Sequence, residues 1–195
     1  MHTRRFPVGA EILPDRYGVH FRVWAPDHDR VELVFTTDFS SAPVSKELPS
    51  SEVMQKEASG YFSILLPFVP HGLLYGFKLD DSKQFFPDPA SRFQPQGIDG
   101  LSKIINYLDY KWNDSDWKGI SGDGRVLYEM HAGTFTPEGT WKAACKQLPE
   151  LASLGITVIE LLPVAEFEGR FNWGYDGIFQ FAPSHRYGTP DDLRA

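Results

Sequence analysis

The chain has 195 residues with 42% hydrophobic content, enough for one large domain or two modest ones with real cores. Its net charge of −7, from 19 basic and 26 acidic residues, is the wrong sign for nucleic acid or an anionic membrane, so neither is an expected partner. Cys145 is the only cysteine and cannot pair within the chain, and no apolar leader or membrane-length run is visible, so a soluble, cytoplasmic protein is expected.

The first half reads as β structure. "GVHFRVWAP" (18–26) alternates Val19, Phe21 and Val23 with His20, Arg22 and Trp24 and stops at a proline. "RVELVF" (30–35), "GYFSILLP" (60–67) and "LLYGFKLDD" (73–81) follow between Pro, Gly and Asp turns. Short strands punctuated in this way predict an antiparallel sandwich over 1–105. Asp15, His28 and Asp88 read as turn chemistry.

A linker over 106–124, including the polar "KWNDSDWKGISGDG" (111–124), precedes a change of pattern. "RVLYEMHAG" (125–133) predicts a strand. "TWKAACKQLPELASLG" (140–155) places apolar residues at helical spacing, with Thr140 as N-cap, Gly155 just past the end, Pro149 as a kink and Cys145 on the core-directed face. "ITVIELLPV" (156–164) is an almost continuous apolar run, expected to be a strand buried on both faces. Glu160 inside that run is costly unless paired, so a structural ion pair is expected there. "TPDDLRA" (189–195) starts a further helix, with Thr189 as cap and Pro190 in its first turn. A sandwich followed by strand, helix and strand leads into a (β/α)8 barrel, which needs roughly 250 residues. Two strands cannot close, so the expectation for 125–195 is the front of a longer barrel rather than a small α/β appendage.

"YEMHAGTFTPEGTW" (128–141), "LASLGITVIELLPVAEFEGRFNWGYDG" (151–177) and "FAPSHRYGTPDDLRA" (181–195) resemble the α-amylase superfamily, glycoside hydrolase family 13. "FFPDPASRFQPQGIDGLS" (85–102) resembles the same enzymes, whose N-terminal domain is an immunoglobulin-like sandwich. The nearest members by motif are those that release trehalose, and glycogen branching enzymes are the nearest confusable group. The resemblance implies a multi-domain fold class: an immunoglobulin-like β-sandwich, then the first βαβ portion of a (β/α)8 TIM barrel, incomplete in this chain. It implies a retaining hydrolase of α-1,4-glucosidic bonds that uses an Asp nucleophile, a Glu acid/base and a second Asp. In the family these lie on later barrel strands, so no catalytic residue is assigned to this chain. It also implies an α-glucan substrate and no cofactor. The other class of function is a noncatalytic glucan-binding or interaction module; the oligomeric state is left unassigned.

"PVAEFEGRFNWGYDGIFQFAPSHRYG" (163–188) follows the second strand and reads as a long functional loop, since barrel sites form at the C-terminal ends of strands. Its glycines and proline exclude a long helix or a clean strand. A flat ring covers the apolar C–H face of a pyranose at little entropic cost, which is a reason to crowd rings there. By the resemblance, Tyr175 matches the tyrosine that stacks on the sugar at the cleavage site. Trp173 either lines the cleft or pins the loop. Asp176 either meets sugar hydroxyls or stabilises a turn before Gly177, and Asn172 reads as a turn residue. His131, near the end of the first strand, either reaches the pocket floor or is a satisfied core histidine. Tyr175, Trp173, Asp176 and His131 are thus the candidate substrate-binding residues. The His, Asp and Glu positions have no metal-ligand spacing, so no metal site is expected. In the sandwich, Trp24, Phe85 and Phe86 are either a glucan-binding patch, as in related domains, or core.

Overall fold

A computed structural model describes residues 4–13, 18–36, 50–70, 72–120 and 122–195; Asp15 lies outside them. The chain divides into two compact units, Met1–Asn106 and Tyr107–Ala195.

In the first unit two sheets enclose one core. β1 (Gly9–Ile12), β2 (Gly18–Trp24), β5 (Gln55–Lys56) and β6 (Tyr61–Pro67) form a sheet in the order β1-β2-β6-β5. β3 (Val31–Thr36), β4 (Ser50–Val53), β7 (Leu74–Leu79) and β8 (Phe85–Phe86) form the other, ordered β4-β3-β7-β8, with β9 (Ser102–Lys103) also on β7. Pairing is antiparallel throughout these sheets. The alternation in β2 does what period 2 requires: Val19, Phe21 and Val23 enter the core while Trp24 faces solvent. Val31, Leu33, Phe62, Tyr75 and Phe77 meet them from the other strands.

The Tyr75–Asp88 polar pair sits inside this unit. The Tyr75 hydroxyl donates to the Asp88 carboxylate at 2.7 Å, and both residues are buried. Asp88 also accepts from the Ala90 amide at 2.8 Å, so it is the turn residue expected, with a second duty to the core. Burial pushes the Asp88 carboxyl above its ordinary range and the Tyr75 hydroxyl well above its own. His28 likewise serves a turn, its Nδ1 lying 2.7 Å from the Asp80 carboxylate.

In the second unit residues 111–120 are exposed and carry no helix or strand. β10 (Leu127–Met130) is shorter than the expected 125–133 strand, because the chain turns into a single helical turn, α1 (Ala132–Phe135). α2 (Trp141–Ser153) is capped by Thr140, whose Oγ1 accepts from the Ala143 amide. It ends in a Schellman motif: Ile156 N–H reaches Leu151 O, Gly155 N–H reaches Ala152 O, and Gly155 supplies φ of +91°. α2 is one helix with Pro149 inside it. The carbonyl left without its donor belongs to exposed Cys145, where water can serve it. β11 (Val158–Leu161) pairs parallel with β10, Leu127 opposite Val158 and Met130 opposite Leu161.

β11, Glu160 and Cys145 are more exposed within this chain than expected. β11 is not buried on both faces: Val158 and Ile159 are half-buried, and Glu160 and Leu161 are exposed. β10 and β11 pair only with each other among the described residues. Glu160 is exposed within this chain. Cys145 is exposed, since α2 buries the side bearing Trp141, Ala143, Ala144 and Leu151.

Tyr75→Phe removes one donor to a buried carboxylate. It is expected to destabilise the first unit by about 1–3 kcal/mol, read as a lower denaturant midpoint at constant m-value.

Candidate functional site

The segment expected to be a loop contains a ribbon. β12 (Ala165–Phe167) and β13 (Gly177–Pro183) pair antiparallel, with register shifts on both sides of Glu166. Glycines that break the sequence pattern lie in the connection and at the strand end, so β13 forms despite them. α3 (Pro190–Arg194) follows, with a capping box between Thr189 and Asp192. The Thr189 amide holds the Asp192 carboxyl below its ordinary range.

Glu166 sits in the middle of this ribbon with no exposed surface. Its Oε2 accepts from the His185 amide at 2.8 Å and lies 2.7 Å from His185 Nδ1. Its Oε1 accepts from the Phe167 amide at 3.1 Å and the Ser184 hydroxyl at 3.4 Å. The pair ties the two ends of residues 163–188 together. Sequence reading missed it; the available signal was a carboxylate between Ala165 and Phe167, the same signal that drew attention to Glu160 instead.

A small aromatic core lies beneath: Ala132, Trp141, Phe167 and Tyr187. Trp141 and Tyr187 meet edge to face at 5.5 Å, and the Trp141 amide donates to Tyr187 O at 2.8 Å. Burial raises the Tyr187 hydroxyl above its ordinary pKa. Gly133 makes room for this packing. A Cβ there would come within 2.7 Å of Tyr187 Cε1 and 3.1 Å of His131 Cε1.

Residues 171–175 alternate. Phe171, Trp173 and Tyr175 are exposed, while Asn172 and Gly174 are buried. Two features hold the inward side. Asn172 Oδ1 accepts from the Gly174 amide, an Asx-type turn, so the turn role expected of Asn172 is the one it plays. Gly174 has φ of +99°, and a Cβ on it would lie 2.7 Å from Pro163 O. The outward side carries Trp173 at 85% exposure and Tyr175 at 74%, two large rings a folded chain ordinarily covers. Phe171, also exposed, has the Arg170 guanidinium over its ring at 5.0 Å. Of the five rings in 172–188, Trp173, Tyr175 and Phe181 face out, and Phe179 and Tyr187 are buried.

The candidate residues thus fall in two settings. Tyr175, Trp173 and Asp176 lie on the exposed turn. His131 lies behind it, half-buried, with Nε2 2.6 Å from Asn172 O. No group of three or more His, Cys, Asp or Glu that could hold a metal occurs among the described residues. No helix among them is long and apolar enough to cross a membrane. In the first unit, Trp24 and Phe86 are exposed and line a groove of about 290 Å³ with Pro26, His28 and Pro87, while Phe85 packs against Val34, Leu74 and Leu101.

Comparison with known proteins fits both units. Residues 7–91 match the model of carbohydrate-binding module 48, the isoamylase N-terminal domain. The chain is 38% identical over 194 residues to malto-oligosyltrehalose trehalohydrolase of Deinococcus radiodurans, covering 100% of this chain and 30% of that protein. It is 39% identical to the enzyme of the same name from Saccharolobus solfataricus, covering 92% of this chain and 30% of that protein. The chain resembles the N-terminal portion of malto-oligosyltrehalose trehalohydrolases. It spans about 30% of the length of these curated trehalohydrolases. A 1,4-alpha-glucan branching enzyme of Streptomyces avermitilis is 34% identical over 187 residues, covering 91% of this chain and 22% of that protein. A solved Salmonella typhimurium structure, provisionally named an alpha amylase, superposes with a TM-score of 0.84 and 41% identity over 95% of this chain and 30% of its own. The fold is thus mostly β, with a domain of the carbohydrate-binding-module type and a likeness to alpha-amylase family enzymes.

Gly133→Ala is expected to destabilise the second unit by about 1–3 kcal/mol, because the new Cβ must displace the packed Tyr187 ring. Faster amide exchange across 127–187, with 18–79 unchanged, is the measurement that checks it.

Proposed function

We propose that this chain supplies the N-terminal sandwich and the first strand–helix–strand of the catalytic barrel of a retaining glycoside hydrolase. The hydrolase cleaves the α-1,4 bond beside the terminal trehalose of malto-oligosyltrehalose and releases trehalose. One observation carries the reading: over its whole length the chain matches a trehalohydrolase, and the matched part includes a turn presenting Trp173 and Tyr175 to solvent. The parallel β10–β11 pair joined through α2 is the arrangement from which a barrel is built. On this reading 1–105 is the sandwich, 106–124 the linker and 125–195 the barrel front.

Within such a site Tyr175 lies against the pyranose at the cleavage position, Trp173 extends the apolar wall, and Asp176 offers a carboxylate to sugar hydroxyls. The reaction needs two carboxyl groups about 5–5.5 Å apart, one ionised and one protonated. Those belong to later barrel strands, so this chain's residues bind and orient without taking part in bond cleavage. No cofactor is needed on this reading. The cytoplasm is the proposed compartment, a choice that rests on the lone thiol Cys145.

A second reading, a glucan-binding module without catalysis, draws on the groove beside Trp24 and Phe86. Retardation of the 195-residue chain in glycogen-containing gels, lost in Trp24→Ala, would favour it.

The 195-residue chain alone is expected to release no trehalose from malto-oligosyltrehalose, whereas the complete protein releases it. Formation of α-1,6 branch points by the complete protein would move the reading to branching enzymes. In the complete protein Tyr175→Ala is expected to lower turnover by about tenfold or more, with the thermal midpoint unchanged, because the ring stacks most strongly on the distorted sugar. Turnover within twofold of wild type would remove Tyr175 from the site.

A further inference from the structure

We infer that His131 is a positioning residue, which fixes the turn bearing Trp173 and Tyr175 by donating its Nε2 hydrogen to the main-chain carbonyl of Asn172. The inference deepens the function proposed above and rests on it for its catalytic consequence, although the conformational part stands alone.

Three observations carry it. First, His131 Nε2 lies 2.6 Å from Asn172 O, 41 residues away in sequence. A carbonyl only accepts, so Nε2 carries the hydrogen and a neutral ring leaves Nδ1 bare. Second, Nδ1 is buried and has no hydrogen-bond partner among the described residues, so the ring's polar contact to them is concentrated on the Nε2 side. The Tyr187 hydroxyl, 3.5 Å from Nε2, is a weaker neighbour. Third, the ring is held edge-on to Tyr187 at 5.9 Å, and a Cβ on Gly133 would crowd both. His131 is therefore braced by the aromatic core and is itself the brace of the turn.

What it braces decides the role. The Asn172 side chain already forms the local turn through the Gly174 amide. That bond shapes residues 172–174 but does not tie them to the rest of the unit. The His131 bond supplies the tie, joining the turn to the end of the first parallel strand. Trp173 and Tyr175 flank the tethered segment and have little packing of their own, at 85% and 74% exposure. With few contacts among the described residues to hold the rings, the direction in which they project is set by the backbone beneath them. A stacking ring displaced by about 1 Å costs much of its contribution to the transition state. His131 thus acts on the sugar through Tyr175, and touches the main chain instead of the substrate.

The test compares two substitutions. His131→Gln places an amide N–H near the position of Nε2, and His131→Leu keeps the bulk without a donor. In the 195-residue chain labelled with 5-fluorotryptophan, the Trp173 resonance, assigned through Trp173→Phe, is expected to be one line in wild type and Gln, and shifted or split in Leu. Nitrogen-15 spectra of the histidines are expected to give the Nε2–H tautomer for His131. In the complete protein Leu is expected to lower turnover about tenfold with KM within threefold, and Gln to recover most of that loss. An Nδ1–H tautomer, a Trp173 line indifferent to Leu, or a Gln variant as impaired as Leu would each overturn the inference. If the complete protein hydrolyses no malto-oligosyltrehalose, the proposed function fails, and the tautomer and the Trp173 line still decide the role of His131.

Discussion

A carboxylate taken out of water costs several kcal/mol unless donors surround it; Asp88 in the first unit and Glu166 in the second have almost no exposed surface. In the first unit Asp88 collects the Tyr75 hydroxyl and the Ala90 amide. In the second Glu166 collects two amides, the Ser184 hydroxyl and the His185 ring. Each carboxylate thereby dictates where another segment runs. Asp88 fixes the chain leaving β8 against β7, and Glu166 fixes the return of β13 beside β12. Neither can be satisfied by local turns alone, so each converts a sequence position into a tertiary restraint.

The display of the rings follows from this anchoring. With 163–188 pinned at its base by Glu166 and His185, the connection between β12 and β13 is free to alternate. Asn172 and Gly174 turn inward, where Gly174 fits against the Pro163 backbone, so Phe171, Trp173 and Tyr175 turn outward. The inward positions satisfy polar groups, and the outward ones leave apolar surface that water covers poorly. The second unit packs Phe167, Tyr187 and Trp141 yet leaves Phe171, Trp173 and Tyr175 exposed together on one turn. That is the arrangement a pyranose face would meet.

The sequence made some of this legible. Alternation in 18–24 and the β-rich runs at 31–36, 61–67 and 74–79 faced a single core, and period 2 found them. Caps at Thr140, Gly155 and Thr189 acted through local hydrogen bonds, which neighbouring residues specify. What sequence left hidden depends on distant partners. β4 and β5 are short and exposed, and form only because β3 and β6 present open edges to them. The apolar stripe of α2 was visible but the layer that covers it was not, so Cys145 was assigned inward. Glu160 and Glu166 carry the same signature in sequence. Only the fold shows that Glu166 is enclosed, because β12 lies under His185 and Ser184. The candidate rings were named from the resemblance, but the tether between His131 and Asn172, spanning 41 residues, had no sequence signal of its own.

Function then reduces to whether the outward turn meets a sugar. A crystal structure of the complete protein with an uncleaved malto-oligosaccharide tests this most directly. The account predicts a pyranose ring lying flat on Tyr175, with Trp173 beside it and the 172–175 backbone unchanged. A sugar bound elsewhere, with Tyr175 covered by other parts of the protein, would contradict it.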